Sequence, residues 1–157
     1  MENKPSFFLR PGHPRDLPEL ARLFRDTIRT VNRNDYSAQQ VDAWSGRWKT
    51  ILSRTDFFGP LFTLVAVSQG HIVGYGNITS DGYLDHLYVH SRMQGCGVAT
   101  ALCEDLERHA KSCGAQELTV QASVTARPFF EHRGYRLIEE RTSELDGEKL
   151  TCFWMQK

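Results

Sequence analysis

The sequence predicts an α+β (mixed α/β) domain built around a mixed, mostly antiparallel sheet. Short segments rich in aromatic, aliphatic and β-branched residues are typical of half-buried strands. Longer segments repeat apolar residues every three or four positions, which is typical of amphipathic helices. The segments follow the order β-α-α-β-β-β-α-β-α-β-β, in which hairpin turns join neighbouring strands and one helix makes a crossover connection.

The first third of the chain predicts one strand and two main helices. The first strand ends at Pro11, and the first helix follows Asp16, where an apolar stripe begins. Ser37 and Gln40 have the spacing of a capping box, so a second helix begins there. In order, we expect a strand at 7–10, a helix over 17–28, a break at 32–36, a helix from 37, a short helix around 48–52 and a loop at 56–60.

The remaining elements alternate between short strands and helices. Turns are indicated at Gly70, at Asp81 with Gly82 and at Asp146 with Gly147, and Gly114 is suited to end a helix. In order, we expect strands at 62–67, 71–78 and 83–89, a helix from 98 to about 114, a strand at 118–121, a helix over 125–132, and strands at 135–138 and around 150–154.

Composition narrows the class of protein. The chain has 157 residues, of which 40% are hydrophobic and 24% charged, so 1–157 is predicted to be one globular domain. The 19 basic residues equal the 19 acidic ones, which disfavours nucleic acid or a membrane surface as partner. The start of the chain lacks the apolar core of a signal peptide, and the four cysteines form no zinc-like spacing. We therefore expect a cytoplasmic protein with free thiols and no metal site.

The loop around Gly95 and Gly97 follows the central strand and opens a helix. Unpaired amides at a helix N-terminus favour phosphate, so this loop predicts a phosphate or diphosphate cradle. A plain strand-to-helix turn is the alternative. Val98, Ala99 and Thr100 stand where a nucleotide P-loop needs Gly-Lys-Ser/Thr, which argues against that motif. Cys96 is interpreted as a small loop residue rather than a nucleophile, because no histidine is obviously placed to activate it.

With these elements in place, the chain resembles the GNAT superfamily of acetyl-CoA-dependent N-acetyltransferases over nearly its whole length. The first signature is Leu87-Tyr88-Val89 at the end of a strand, followed by Gln94-Gly95-Cys96-Gly97-Val98-Ala99. The second is Ser123 after the next strand, then Ala126, Phe129-Phe130 and Gly134-Tyr135. The resemblance implies a GNAT-like fold with six or seven strands and about four helices in a single domain.

The resemblance also implies acetyl-CoA as cofactor and acetyl transfer to a primary amine. The amide of Leu87 would stabilise an oxyanion, a contact typically worth about 3 kcal/mol in a transition state. Leu87 and Val89 would pair their backbones with the pantetheine arm of the cofactor. The cofactor-binding set implied is Leu87, Tyr88, Val89, Gln94, Gly95, Cys96, Gly97, Val98, Ala99, Thr100, Ser123, Phe129 and Phe130.

Proton transfer in the expected chemistry needs a base and an acid. Asp85 is the leading candidate for the base, because strand alternation places it on one face with Tyr83 and Leu87, and His86 on the other. Water could carry the proton instead. Phe130 stands where family members often carry a tyrosine that serves as the general acid, and phenylalanine has no proton to donate. Substitutes for that acid are Tyr83, Tyr36, Tyr75 and Tyr135, of which Tyr135 is expected in the core.

The acceptor amine is expected to lie beside the first two helices. The resemblance points to 29–48, with Asn34, Tyr36 and Trp44 as substrate-binding candidates, and to a small molecule or a peptide as acceptor. An acyl-CoA-binding sensor with little or no turnover is the alternative function, and a purely structural protein is a third. For the oligomeric state, we include a homodimer among the expected assemblies.

Overall fold

The computed structural model describes residues 4–157 and has a seven-stranded sheet covered by helices on both faces. Residues 1–3 lie outside the described part. The strands are β1 (Phe8–Pro11), β2 (Leu61–Ser68), β3 (His71–Thr79), β4 (Tyr83–Val89), β5 (Thr119–Ser123), β6 (Arg136–Leu145) and β7 (Glu148–Gln156). The helices are α1 (Leu17–Thr30), α2 (Ala38–Ser45), α3 (Trp48–Ile51), α4 (Val98–Ser112) and α5 (Arg127–His132).

The sheet has the order β1-β2-β3-β4-β5-β7-β6. Strands β4 and β5 are parallel, because the crossover helix α4 returns the chain to the same end of the sheet. The other pairs are antiparallel. The predicted mixed, mostly antiparallel sheet is therefore confirmed, with seven strands.

Two apolar cores lie on opposite faces of the sheet. Helices α4 and α5 bury Leu102, Leu106 and Phe130 against one face. Helices α1, α2 and α3 cover the other face, where Leu20 and Ile28 are fully buried. This arrangement follows from the apolar stripes of α1 and α4, which leave their polar residues to solvent. None of the helices in residues 4–157 is both long and apolar enough to cross a membrane.

Most predicted elements are confirmed within a few residues, and two differ in extent. The first difference is β6, predicted over 135–138 but extending over Arg136–Leu145. Most of its side chains are exposed, so it carries no apolar alternation to predict it, and its pairing with β7 sustains it. The second is 56–60, predicted as a loop, which begins with a short 3₁₀ helix at Asp56–Phe58.

Candidate active site

A cleft of about 220 Å³ opens in the middle of the sheet, where two parallel strands separate. Strands β4 and β5 pair only at Tyr83 with Thr119 and at Leu84 with Val120. Beyond these pairs the strands diverge toward their carboxyl ends, which is where ligands bind in many sheets with parallel strands. Side chains from β4, β5, α1, α2, α4 and α5 line the cleft.

The backbone of β4 presents hydrogen-bonding groups to this cleft. The amide of His90 donates to the carbonyl of Val73 at 2.8 Å, so residues 90 and 88 face β3. Backbone groups alternate in direction along an antiparallel pair. The amides of Leu87 and Val89 therefore point toward β5. Within residues 4–157, β5 does not pair with β4 at these two residues. The pairing of these two amides with a cofactor stays a prediction, and their direction is compatible with it.

The glycine loop lies at the same end of the cleft. Gly95 has φ of 72° and Gly97 has φ of 85°, a left-handed backbone that a side chain would strain. Apart from the glycine itself and its two chain neighbours, no heavy atom of residues 4–157 lies within 4 Å of the position a Cβ would take at either glycine. The first intrahelical bond of α4 runs from the amide of Ala101 to the carbonyl of Gly97, which leaves the amides of 98–100 without helical partners.

These features fit the diphosphate group expected at this loop. The open space over the glycines admits a ligand, and the amides at the start of α4 supply donors and a partial positive charge. The side chain of Gln94 donates from Nε2 to the carbonyl of Val89 at 2.7 Å and so ties the loop to β4. Lys4 donates from Nζ to the carbonyl of Gly95 at 2.9 Å, which adds a cation beside the loop.

The β5 side of the cleft is mostly apolar. Ser123 accepts a hydrogen bond on Oγ from the amide of Ala126 at 3.1 Å, which fixes the turn between β5 and α5. Phe129 and Phe130 line the cleft, and Phe130 is only 2% exposed. Its ring packs edge-on against the rings of Phe129 and Tyr135. Eight of the predicted cofactor residues line this cleft, and Phe130 among them offers no polar group. The other five, Gly95, Cys96, Gly97, Val98 and Thr100, belong to the glycine loop and the start of α4 and are not part of its lining.

A β-bulge in β4 brings two titratable side chains to the same face. Asn77 of β3 pairs with His86, and Ile78 pairs with Leu84, so Asp85 is the extra residue. Asn77 accepts a hydrogen bond on Oδ1 from the amide of His86 at 3.0 Å, which holds the bulge. Oδ2 of Asp85 lies 3.7 Å from Nε2 of His86, and both side chains line the cleft.

This bulge corrects the predicted orientation of the strand. Asp85 and His86 were expected on opposite faces, and Asp85 was expected to share a face with Leu87. Instead, Asp85 and His86 face the helices α1–α3, whereas Leu87 packs against the core under α4. The inserted residue breaks the two-residue alternation on which the expectation depended.

His86 is neutral at ordinary pH. Burial lowers the pKa of its imidazole from 6.5 to about 4, against the opposing effect of Asp85. Nδ1 of His86 lies 3.0 Å from the hydroxyl of Tyr75, which is fully buried and has no other hydrogen-bond partner in residues 4–157. A buried hydroxyl needs an acceptor, so Nδ1 accepts and the ring proton stays on Nε2, toward Asp85.

The helical side of the cleft contains some of the predicted acceptor residues. Trp44 lines the cleft and packs edge-on against Tyr36 at 5.3 Å between ring centroids. The hydroxyl of Tyr36 accepts a hydrogen bond from the amide of Val124 at 2.8 Å, just beyond β5. Asn34 is exposed, donates to the carbonyl of Val31, and lies outside the cleft lining. Its predicted role in substrate binding stays a prediction.

Two polar lining residues, Thr27 and Asn32, were not singled out from the sequence, and His86 was expected on the other face of its strand. Thr27 and Asn32 are buried polar residues on this side of the cleft, and His86 of β4 also lines it. Oγ1 of Thr27 has no hydrogen-bond partner in residues 4–157. A threonine within the apolar stripe of α1 is the signal that could have identified it. The position of His86 carries no such signal, because it depends on the bulge.

The four candidate tyrosines occupy different surroundings. Tyr135 donates from its hydroxyl to Glu107 at 2.6 Å within the core, as expected for a structural residue. Tyr75 is fully buried and bonded to His86. Tyr83 stacks on Trp154 with 5.7 Å between centroids and does not line the cleft. Burial raises the pKa of both Tyr36 and Tyr83, so each hydroxyl keeps its proton at neutral pH.

Comparison with known proteins agrees with this geometry. The family model for the acetyltransferase (GNAT) domain matches residues 32–156. YafP, an uncharacterized N-acetyltransferase of Escherichia coli strain K12, is 31% identical over 152 residues, covering 94% of this chain and 93% of YafP.

Solved structures show the same fold. The GCN5-related N-acetyltransferase of Rhodopseudomonas palustris superposes with a TM-score of 0.91 and is 34% identical, covering 100% of this chain and 97% of its own. The PaiA N-acetyltransferase of Thermoplasma acidophilum, solved in complex with coenzyme A, has a TM-score of 0.72 and 18% identity, with 97% and 98% covered. With the family match over residues 32–156, these findings show that the chain belongs to the GNAT family of N-acetyltransferases, which are acyltransferase enzymes.

Proposed function

We propose that the protein transfers an acetyl group from acetyl-CoA to a primary amine of a small molecule or peptide by direct attack of the amine. The observation that carries this proposal is the cleft between β4 and β5, where the Leu87 and Val89 amides and the open glycine loop meet a carboxylate. Acetyl-CoA supplies the activated acyl group, as a thioester. Every other contribution comes from the residues of this chain.

The binding of acetyl-CoA is assigned to the residues at the β4 end of the cleft. The amides from Gly95 to Thr100 hold the diphosphate, and Lys4 adds a positive charge beside them. The backbone of Leu87 and Val89 pairs with the pantetheine arm as an added strand would. The amide of Leu87 then donates to the carbonyl oxygen of the acyl group, where negative charge develops during attack.

Asp85 is assigned as the base. An amine attacks only when neutral, so its proton must be accepted within the cleft. The carboxylate of Asp85 is 25% exposed and lies on the face where α1 and α2 form the acceptor side. Within residues 4–157, no lysine or arginine is part of the cleft lining, and Arg54 contacts Asp85 from outside that lining. The proton moves from the amine nitrogen to a carboxylate oxygen.

The acceptor pocket combines aromatic and hydrogen-bonding groups. Trp44 and Tyr88 provide apolar walls, and Thr27 and Asn32 provide buried polar groups. An acceptor with an apolar body and a hydrogen-bonding substituent fits these walls. The hydroxyl of Thr27, which lacks a partner in residues 4–157, is suited to bind that substituent.

An acyl-CoA sensor with little turnover is the second candidate. Phe130 favours it, because this buried ring cannot protonate a departing thiolate. Single-turnover release of free thiol, measured with acetyl-CoA and a panel of small amines and peptides, distinguishes the two functions. We expect thiol release that depends on one class of amine. Tight acetyl-CoA binding without thiol release from any amine would instead support the sensor.

A further inference from the structure

An arginine outside the sheet reaches across to the carboxylate of the bulge. Arg54 lies in the connection between α3 and β2, and its Nη2 lies 3.2 Å from Oδ2 of Asp85. The same guanidinium binds Asp56 through Nε to Oδ1 at 2.6 Å and through Nη2 to Oδ2 at 2.7 Å. It also lies over the ring of Phe57, 4.7 Å from the centroid. The guanidinium of Arg54 is therefore held in place by the bidentate ion pair with Asp56 and by the ring of Phe57, independently of its contact with Asp85.

The two oxygens of Asp85 differ as a result. Oδ2 receives the hydrogen bond from Arg54 and faces the Nε2–H of His86. Oδ1 has no hydrogen-bond partner within residues 4–157. One oxygen is thus fixed by two groups from separate parts of the chain, and the other is left to meet a ligand in the cleft.

We propose that Arg54 is a positioning residue that holds Asp85 by Oδ2 so that Oδ1 accepts the proton of the acceptor amine. This inference rests on the proposed function and adds to it the residue that orients the base. His86 supports the arrangement from the other side, since its Nε2 proton faces the same oxygen. Arg54 itself touches no expected substrate atom and acts through Asp85.

The charges around Arg54 are consistent with this role. Asp56 and Asp85 share one guanidinium, so the three side chains carry one net negative charge. His86 adds none while its imidazole is neutral. A cationic amine is therefore attracted to the cleft, and the oxygen nearest to it is the one that Arg54 does not bind.

The test compares Arg54→Ala with Arg25→Ala. Arg25 is a matched control, because it is similarly exposed, pairs with Asp26 and lies over the ring of Trp48, away from Asp85. Arg54→Ala is expected to lower kcat by about 10- to 100-fold, because a misplaced catalytic group costs that much. The Kd for acetyl-CoA should change by less than about twofold, since Arg54 lies outside the cradle. Added guanidinium ion should restore part of kcat, and Arg25→Ala should keep it.

A second variant covers the case in which Arg54→Ala does not fold. Arg54→Lys keeps the charge but cannot bind two carboxylates in a fork, so its kcat should fall about 3- to 10-fold, with acetyl-CoA binding unchanged. A wild-type kcat in either Arg54 variant would overturn the inference. So would a loss of kcat that guanidinium does not relieve and that is accompanied by loss of acetyl-CoA binding. An inactive wild type would overturn the proposed function itself.

Discussion

Phe130 lies in the cleft at the position where family members often carry a tyrosine. Its ring is buried between Phe129 and Tyr135, and it carries no polar atom. A proton for the departing thiolate must therefore come from another residue or from water. Among the candidate tyrosines, Tyr36 is the one bonded to the segment that follows β5, beside Ser123 and the cleft.

Tyr36→Phe tests whether this tyrosine has taken over the acid role. The hydroxyl oxygen of Tyr36 accepts from the Val124 amide, so its own proton remains available to donate. We predict that kcat falls by about 100-fold, as for loss of a general acid. Loss of the bond to Val124 should also lower the free energy of unfolding by about 1 kcal/mol. Tyr83→Phe is the comparison, and a larger loss of kcat there would move the acid role to Tyr83.

Asp85→Asn tests the base at the same scale. The amide keeps the shape of the carboxylate and can still accept a hydrogen bond from Arg54, but it cannot take a proton from the amine. We predict a fall in kcat of about 100-fold with nearly unchanged acetyl-CoA affinity. Asp42→Asn, exposed on α2, controls for the loss of one negative charge. Equal kcat values in both variants would remove Asp85 as the base.

The sequence predicted which residues lie together at the cleft better than it predicted the directions of their side chains. The glycine loop was predictable, because Gly95 and Gly97 follow a strand and open a helix, and only short-range backbone preferences are needed. The bulge at Asp85 was not, because it is created by pairing with Asn77 of another strand. The orientation of His86 was missed for the same reason.

At the scale of the element, the bulge buries a histidine that β4 would otherwise turn to the opposite face. Buried His86 binds a proton near pH 4, whereas in the unfolded chain it binds one near pH 6.5. The unfolded state therefore binds more protons between these values, and stability falls as the pH drops from about 6.5 toward 4. Asp85 and Asp56 oppose this shift, whereas burial and Arg54 produce it.

His86→Gln should remove this part of the pH dependence. We predict that the free energy of unfolding of the wild type falls by about 2 kcal/mol more than that of the variant between about pH 7 and about pH 5. Urea unfolding at the two pH values provides the measurement. His71→Gln, at the exposed start of β3, controls for the loss of an imidazole. Parallel pH profiles for the wild type and His86→Gln would contradict the assignment of a buried neutral imidazole.

At the scale of the whole molecule, the order of elements was predictable and the long-range contacts were not. Strand composition, turn residues and helical spacing predicted seven strands and the crossover helix, because these signals are local, although they predicted only the first residues of β6. No local pattern joins Arg54 to Asp85, which are 31 residues apart, or Tyr36 to Val124, which are 88 apart. Those contacts depend on how the α1–α3 layer lies on the sheet, and they determine the chemistry of the acceptor side.

The central claim is that the glycine loop at the start of α4 holds acetyl-CoA. Calorimetric titration of acetyl-CoA into Gly97→Glu and Gly114→Glu tests it directly. Both glycines flank α4 with positive φ, and beyond the chain neighbours no atom of residues 4–157 lies within 4 Å of the added Cβ, so the backbone strain is similar. We predict one-to-one binding by the wild type and by Gly114→Glu, and none by Gly97→Glu, because its carboxylate repels the diphosphate. No binding by the wild type, or equal affinity in the two variants, would contradict the account.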